Sequence, residues 1–103
     1  MGTYKYNVIS ANEIKLTSFE PSESSDLKDL VIPSEYCGYV VREIGKSVFA
    51  SMGLTGSVTI PSSVRRIFSR AFYNNNITSI NIEEGDNLWA IDDHAFAKTK
   101  IEE

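Results

Sequence analysis

The chain has 103 residues, 42% hydrophobic and 23% charged, a balance that fits one small globular domain and excludes a disordered or fibrous segment. Ten Lys and Arg against fourteen Asp and Glu give a net charge of −4, which argues against a dedicated nucleic-acid binder, where a basic excess is expected. No apolar run approaches the ~20 residues that a membrane helix needs, and the opening MGTYKYN has no signal-peptide pattern. An exported protein whose leader has been removed would read the same way.

In chain order, Tyr4, Tyr6 and Val8 alternate with polar residues, as do Ile14 and Leu16, and Ser10 to Glu13 separate the two runs. This predicts a β-hairpin within residues 1–20. The polar EPSESSD, Glu20 to Asp26, reads as a loop. Next comes LKDLVIP, Leu27 to Pro33, with aliphatics at its first, fourth and sixth positions, then a loop with Tyr36, Cys37 and Tyr39. The single cysteine cannot form an internal disulfide and reads as a partly buried free thiol.

From Val41 onward the chain repeats itself. VREIGKSVF (41–49), VRRIFSRAF (64–72) and LWAIDDHAF (88–96) share one pattern: apolar, two variable residues, Ile, three variable residues, a small residue, Phe. Successive copies are 23 and 24 residues apart, and Leu54, Ile77 and Ile101 each follow the Phe by five residues. Between the copies, LTGSVTIP and ITSINIEE alternate as strands buried on one face do. The first of them carries an extra residue, which predicts a bulge or longer turn at Gly56. A unit of this size cannot bury its own apolar face, so the copies must stack. The predicted columns are Ile44, Ile67, Ile91; Phe49, Phe72, Phe96; Leu30, Val58, Ile80; and Ile32, Ile60, Ile82. Val48, Ala71 and Ala95 let adjacent backbones approach.

The period and spacing are those of leucine-rich repeats. IPSSVRRIFSRAF and IPSEYCGYVVREIGKSVF resemble the BspA-like leucine-rich repeats of bacterial surface proteins. Two positions depart from the pattern: Gly45 becomes Phe68 and Asp92, and Glu83 stands where Pro33 and Pro61 end the earlier strands. The implied fold is an α/β or mainly β repeat solenoid: a right-handed leucine-rich-repeat coil with a parallel concave sheet, short helical or 3-10 turns at KSVFAS, SRAFYN and DHAFAK, and an N-terminal hairpin cap. The expected organisation is a single domain over residues 1–103, with the cap at 1–20, repeats at 27–53, 54–76 and 77–100, and an unfinished repeat at 101–103.

The repeat also accounts for the arginines. Arg65, Arg66 and Arg70 fill variable slots held by Arg42, Glu43 and Ser47 one unit earlier and by Trp89, Ala90 and His94 one unit later. Such slots point to solvent or to a partner. His94, the lone histidine, lies beside Asp92 and Asp93 and invites a metal or acid/base reading. No second imidazole is present to complete a zinc site. The acidic EEGD, Glu83 to Asp86, lacks the spacing of a calcium loop, and no phosphate-loop, HExxH or GxSxG motif occurs. No enzyme activity, cofactor or metal is therefore expected.

The candidate ligand contacts are Ser57, Thr59, Ser79 and Asn81, which lie between the buried strand positions, with Tyr73, Trp89, Arg65 and Arg66 in variable slots. Aromatic and Arg side chains dominate interface energetics, and Phe68, Tyr36 and Tyr39 are weaker anchor candidates. The resemblance implies a non-catalytic module that binds a protein or glycan, at the cell surface or secreted, in the manner of adhesins. Neither nucleic-acid binding nor membrane insertion is expected. A spacer with no ligand of its own is the alternative. The strand begun at Ile101 is unfinished, so the chain reads first as a fragment of a longer repeat array from a surface protein, and otherwise its edge is open to self-association.

Overall fold

The computed structural model describes residues 2–85 and 88–101. Residues 1, 86, 87, 102 and 103 lie outside them, so the acidic run is described as far as Gly85 and the unfinished repeat at Ile101 alone. The chain is a mainly β solenoid of about three turns built from two sheets. Strands β1 (Thr3–Ser10) and β2 (Glu13–Glu20) form the antiparallel hairpin. β3 (Lys28–Val31) follows a short 3-10 turn, Ser24–Leu27. β4 (Glu35–Tyr36) and β5 (Tyr39–Ile44) come next, then β6 (Thr55–Ile60), β7 (Arg66–Ile67), β8 (Asn76–Ile82) and β9 (Ala90–Ile91).

β3, β6 and β8 form the parallel sheet that the alternating aliphatics predict. A second parallel ladder runs β2, β5, β7, β9, so the hairpin caps the solenoid by supplying its first rung. Its strands follow the motif itself: Leu16, Ile44, Ile67 and Ile91 are in register. Against β3 the register of β6 slips, two steps from Lys28 to Leu30 facing three from Thr55 to Val58, and Gly56 has φ +74, so the extra residue of β6 is absorbed as a bulge at a backbone angle that glycine tolerates.

The helical turns expected at KSVFAS, SRAFYN and DHAFAK take another form. Among the described residues the 3-10 conformation is confined to Ser24–Leu27. Each of the three segments is instead a pair of tight turns with left-handed residues at Ser47 and Ser51, at Arg70 and Asn74, and at His94 and Lys98. Such angles interrupt a helix, and they aim backbone groups at the next coil. The N–H groups of Phe49 and Ser51 donate to the carbonyls of Ala71 and Tyr73, both at 2.8 Å. Those of Phe72 and Asn74 donate to Ala95 and Ala97, at 2.8 and 2.9 Å. The turns therefore form a third ladder.

Inside these three walls lie the predicted columns. Phe49 and Phe72 stack at 5.0 Å and 8°, and Phe72 and Phe96 at 5.0 Å and 3°. Ile44, Ile67, Ile32, Ile60, Leu54 and Ile77 are buried. In the last coil Ile82 and Ile91 are about half exposed, at 49% and 48%, because no described coil lies above them. Cys37 corrects the sequence reading: it is exposed. It forms with Gly38 the two-residue loop joining β4 to β5, and positive φ at both residues, 52 and 85, turns its side chain away from the core.

Among the described residues Asn75 is the buried polar side chain of this interior. Its Oδ1 accepts the N–H groups of Met52 and Leu54, both at 3.1 Å. Its Nδ2 donates to the carbonyls of Phe49 at 2.8 Å and Phe72 at 2.9 Å. One side chain thus ties two successive turns together. Removing it leaves several buried backbone groups without that partner, at about 1–3 kcal/mol each. Asn75→Ala is expected to lower stability by about 3 kcal/mol or more in urea denaturation, and the exposed Asn76→Ala by about 0.5 kcal/mol or less.

Candidate functional site

The eight candidate contacts fall on different faces and do not form one site. Ser57 and Ser79 are register partners on β6 and β8, as are Thr59 and Asn81. Their neighbours Val58 and Ile60 turn inward and are fully buried, so period-two alternation puts the four polar side chains on the outer face of the three-stranded sheet. Ser79 and Asn81 are exposed; Ser57 and Thr59 are half-buried. The Ser57 N–H donates to Asp29 Oδ1 at 2.9 Å, which fixes the bulge beneath this row.

Arg65 and Arg66 lie at the other sheet and are engaged within the chain. Arg66 grips the Asp92 carboxylate through Nε at 3.3 Å and Nη2 at 2.8 Å. Its guanidinium covers the Phe68 ring at 4.1 Å, and the Lys15 ammonium covers the same ring at 4.0 Å. The two residues that replace Gly45 in later units are therefore those that clamp Arg66. Arg42 donates to Glu13, and Arg65 Nη2 stands 3.8 Å from the same carboxylate. Arg42 also reaches the Ser63 carbonyl at 3.2 Å. These pairs join the hairpin to the first coil and one coil to the next.

Trp89 is 68% exposed, and its backbone N–H donates to the Arg65 carbonyl at 2.9 Å. Tyr73 is half-buried on the turn wall, flanked by the Arg70 guanidinium at 5.6 Å and the Lys98 ammonium at 5.8 Å. The weaker candidates Tyr36 and Tyr39 belong to an aromatic cap. Tyr36 meets Tyr4 edge-on at 5.2 Å and accepts its N–H at 3.1 Å, and Tyr39 packs on Tyr6 at 5.6 Å. Burial, with Tyr36 and Asp26 nearby, raises the Tyr4 hydroxyl well above the usual phenol range. His94 is exposed at a left-handed turn position. Among the described residues no three His, Cys, Asp or Glu side chains come together as a metal site.

Two hollows also lie on the surface of the described residues. One, of about 380 Å³, lies beside the hairpin and β3 and has an apolar floor. The other, of about 320 Å³, is polar and is lined by Asn74, Asn76, Lys98 and Lys100 at the turn wall. Sequence reasoning missed the first because it forms between residues far apart in the chain. It missed Asn75 although a signal was present: an amide in the slot of Met52 and Thr99.

The hydrogen bond from the Ser10 hydroxyl, and then the Arg42 and Arg65 guanidiniums, hold the Glu13 carboxyl below the usual range. A carboxyl depressed in the folded state stabilises fully above its unfolded value of about 4.3, and that contribution is lost as pH falls through the folded value. The urea midpoint is expected to fall between pH 5 and pH 3. Glu13→Gln should lower it at pH 7 and make the acid-side decline shallower, as measured by denaturation at a series of pH values.

A family model described as a BspA-type leucine-rich-repeat region matches residues 12–103. Among solved structures, a leucine-rich-repeat protein of T. pallidum is similar with a TM-score of 0.73 and 27% identity. The match covers 92% of this chain and 42% of that one, so the chain spans less than half of that protein's length. No curated protein sequence matches the chain. No helix among the described residues is long and apolar enough to cross a membrane.

Proposed function

The chain belongs to the BspA-type leucine-rich-repeat family, and from that premise we propose that it is a non-catalytic binding module of a surface or secreted protein, with a polypeptide or glycan ligand. The observation that carries this reading is the outer face of β3, β6 and β8, where Ser57, Thr59, Ser79 and Asn81 stand in ordered rows. Small polar groups on a rigid sheet offer hydrogen bonds to an extended ligand at low entropic cost. Tyr73 and Trp89 are aromatic anchors beyond that face. Arg65 and Arg66 rank lower as contacts, because their guanidiniums already serve Glu13 and Asp92.

The test is a binding screen of the chain against extracellular-matrix proteins and glycans, repeated with Ser79→Arg/Asn81→Arg and with Trp89→Ala. A captured ligand should weaken at least ten-fold with the double variant while the unfolding midpoint stays unchanged. A ligand unaffected by the double variant and lost with Trp89→Ala would move the site off the sheet. No ligand in the screen would favour the spacer reading.

Self-association through the last coil, along the edge that Ile101 begins, is a second reading, supported by the half-exposed Ile82 and Ile91. Sedimentation should then show a concentration-dependent dimer that Ile82→Lys/Ile91→Lys abolishes. A monomer at every concentration contradicts it.

A further inference from the structure

The hollow beside the hairpin differs from the polar sheet face in chemistry. Its floor is formed by Tyr4, Phe19, Leu30, Pro33 and Tyr36, residues brought together by β1, β2, β3 and β4. Tyr4, Phe19 and Leu30 also belong to the core, so the floor is held in place by the fold. Concave apolar hollows of this size with a few polar groups at the mouth are the usual form of a binding pocket. Around this mouth stand Asp26, Asp29 and Glu35 against Lys28. The Asp26 carboxylate accepts N–H groups from Ser22 and Glu23, and these bonds keep it ionised.

A strand edge runs along the same hollow. β3 is the outermost strand of its sheet, and among the described residues no strand pairs with its far side. The Ile32 N–H donates to the Thr59 carbonyl at 3.1 Å, toward β6. Backbone groups alternate in direction along a strand, so the N–H and C=O of Val31 face away from β6. The Val31 side chain is 65% exposed. Pro33 has no N–H, and Asp29 sits at φ +48, so the usable edge is short and centred on Val31.

We propose that this hollow is a peptide-docking site, which takes one apolar or aromatic side chain of an extended peptide segment with Lys or Arg beside it. The peptide backbone pairs with Val31 in the manner of strand addition. Its apolar side chain enters between Tyr4, Leu30 and Tyr36, and its cation meets the carboxylate of Glu35. The inference rests on the binding-module reading but places the contact on a different surface.

The experiment is an NMR titration of the ¹⁵N-labelled chain with acetyl-Lys-Val-Phe-Arg-amide. Saturable shifts are expected at the amides of Tyr4, Phe19 and the segment from Leu30 to Tyr36. Binding should weaken at least five-fold with Glu35→Lys, a change at an exposed position, and to a similar extent when the peptide is acetyl-Glu-Val-Phe-Glu-amide. Shifts confined to Ser57, Thr59, Ser79 and Asn81 would overturn the docking site and leave the module reading intact. The absence of a saturable shift at millimolar peptide would overturn the site as well. Movement of the same amides on simple dilution, without peptide, would assign the hollow to a second copy of the chain.

Discussion

No coil of this chain can bury its apolar side or pair its backbone alone, and every other feature follows from that constraint. Each coil presents a row of backbone groups and a set of aliphatic and aromatic side chains to the next. The stack answers both demands at once: strands pair with strands, turns with turns, and Phe72 lies between Phe49 and Phe96. Burying one such ring contributes roughly 1.5–3 kcal/mol, a large share of what holds a small domain together. The first coil needs a lower neighbour, and the hairpin supplies it through β2.

The same constraint explains where the polar side chains went. At the turn wall Asn75 takes up five backbone groups in two coils. Variable slots that a single repeat would leave to solvent become clamps between repeats. Arg66 reaches forward to Asp92, and Arg42 and Arg65 reach back to Glu13. Exposed pairs of this kind contribute little to stability each, and their effect is to fix the orientation of one coil on the next. The surface left over for a partner is the polar face of the three-stranded sheet, the turn wall at Tyr73, Trp89, and the hollow beside the hairpin.

The columns were legible because period and spacing determine them: Ile44, Ile67, Phe49 and Phe72 recur at fixed intervals, and all four are buried. The bulge at Gly56 was legible for the same reason. The turn segments were misread as helical because KSVFAS and SRAFYN contain no strong breaker, and Ser47, Arg70 and His94 carry no mark of a left-handed angle. Tertiary hydrogen bonding chose that angle. Arg65 and Arg66 read as free surface because their partners Glu13 and Asp92 lie 52 and 26 positions away. Cys37 was read as partly buried from its residue type, whereas a two-residue loop with Gly38 puts it outside. The four polar strand positions were legible from alternation, but their distance from Tyr73 and Trp89 was not, since spacing along a repeat does not tell which wall a slot belongs to.

A stack whose turns are hydrogen-bonded as firmly as its strands is most directly tested by amide hydrogen exchange. The amides of Phe49, Ser51, Phe72 and Asn74, all in turns, should be protected to the same degree as those of Val58 and Ile60. Exchange at those four at the rate of ordinary exposed loops, with the strand amides still protected, would contradict the account.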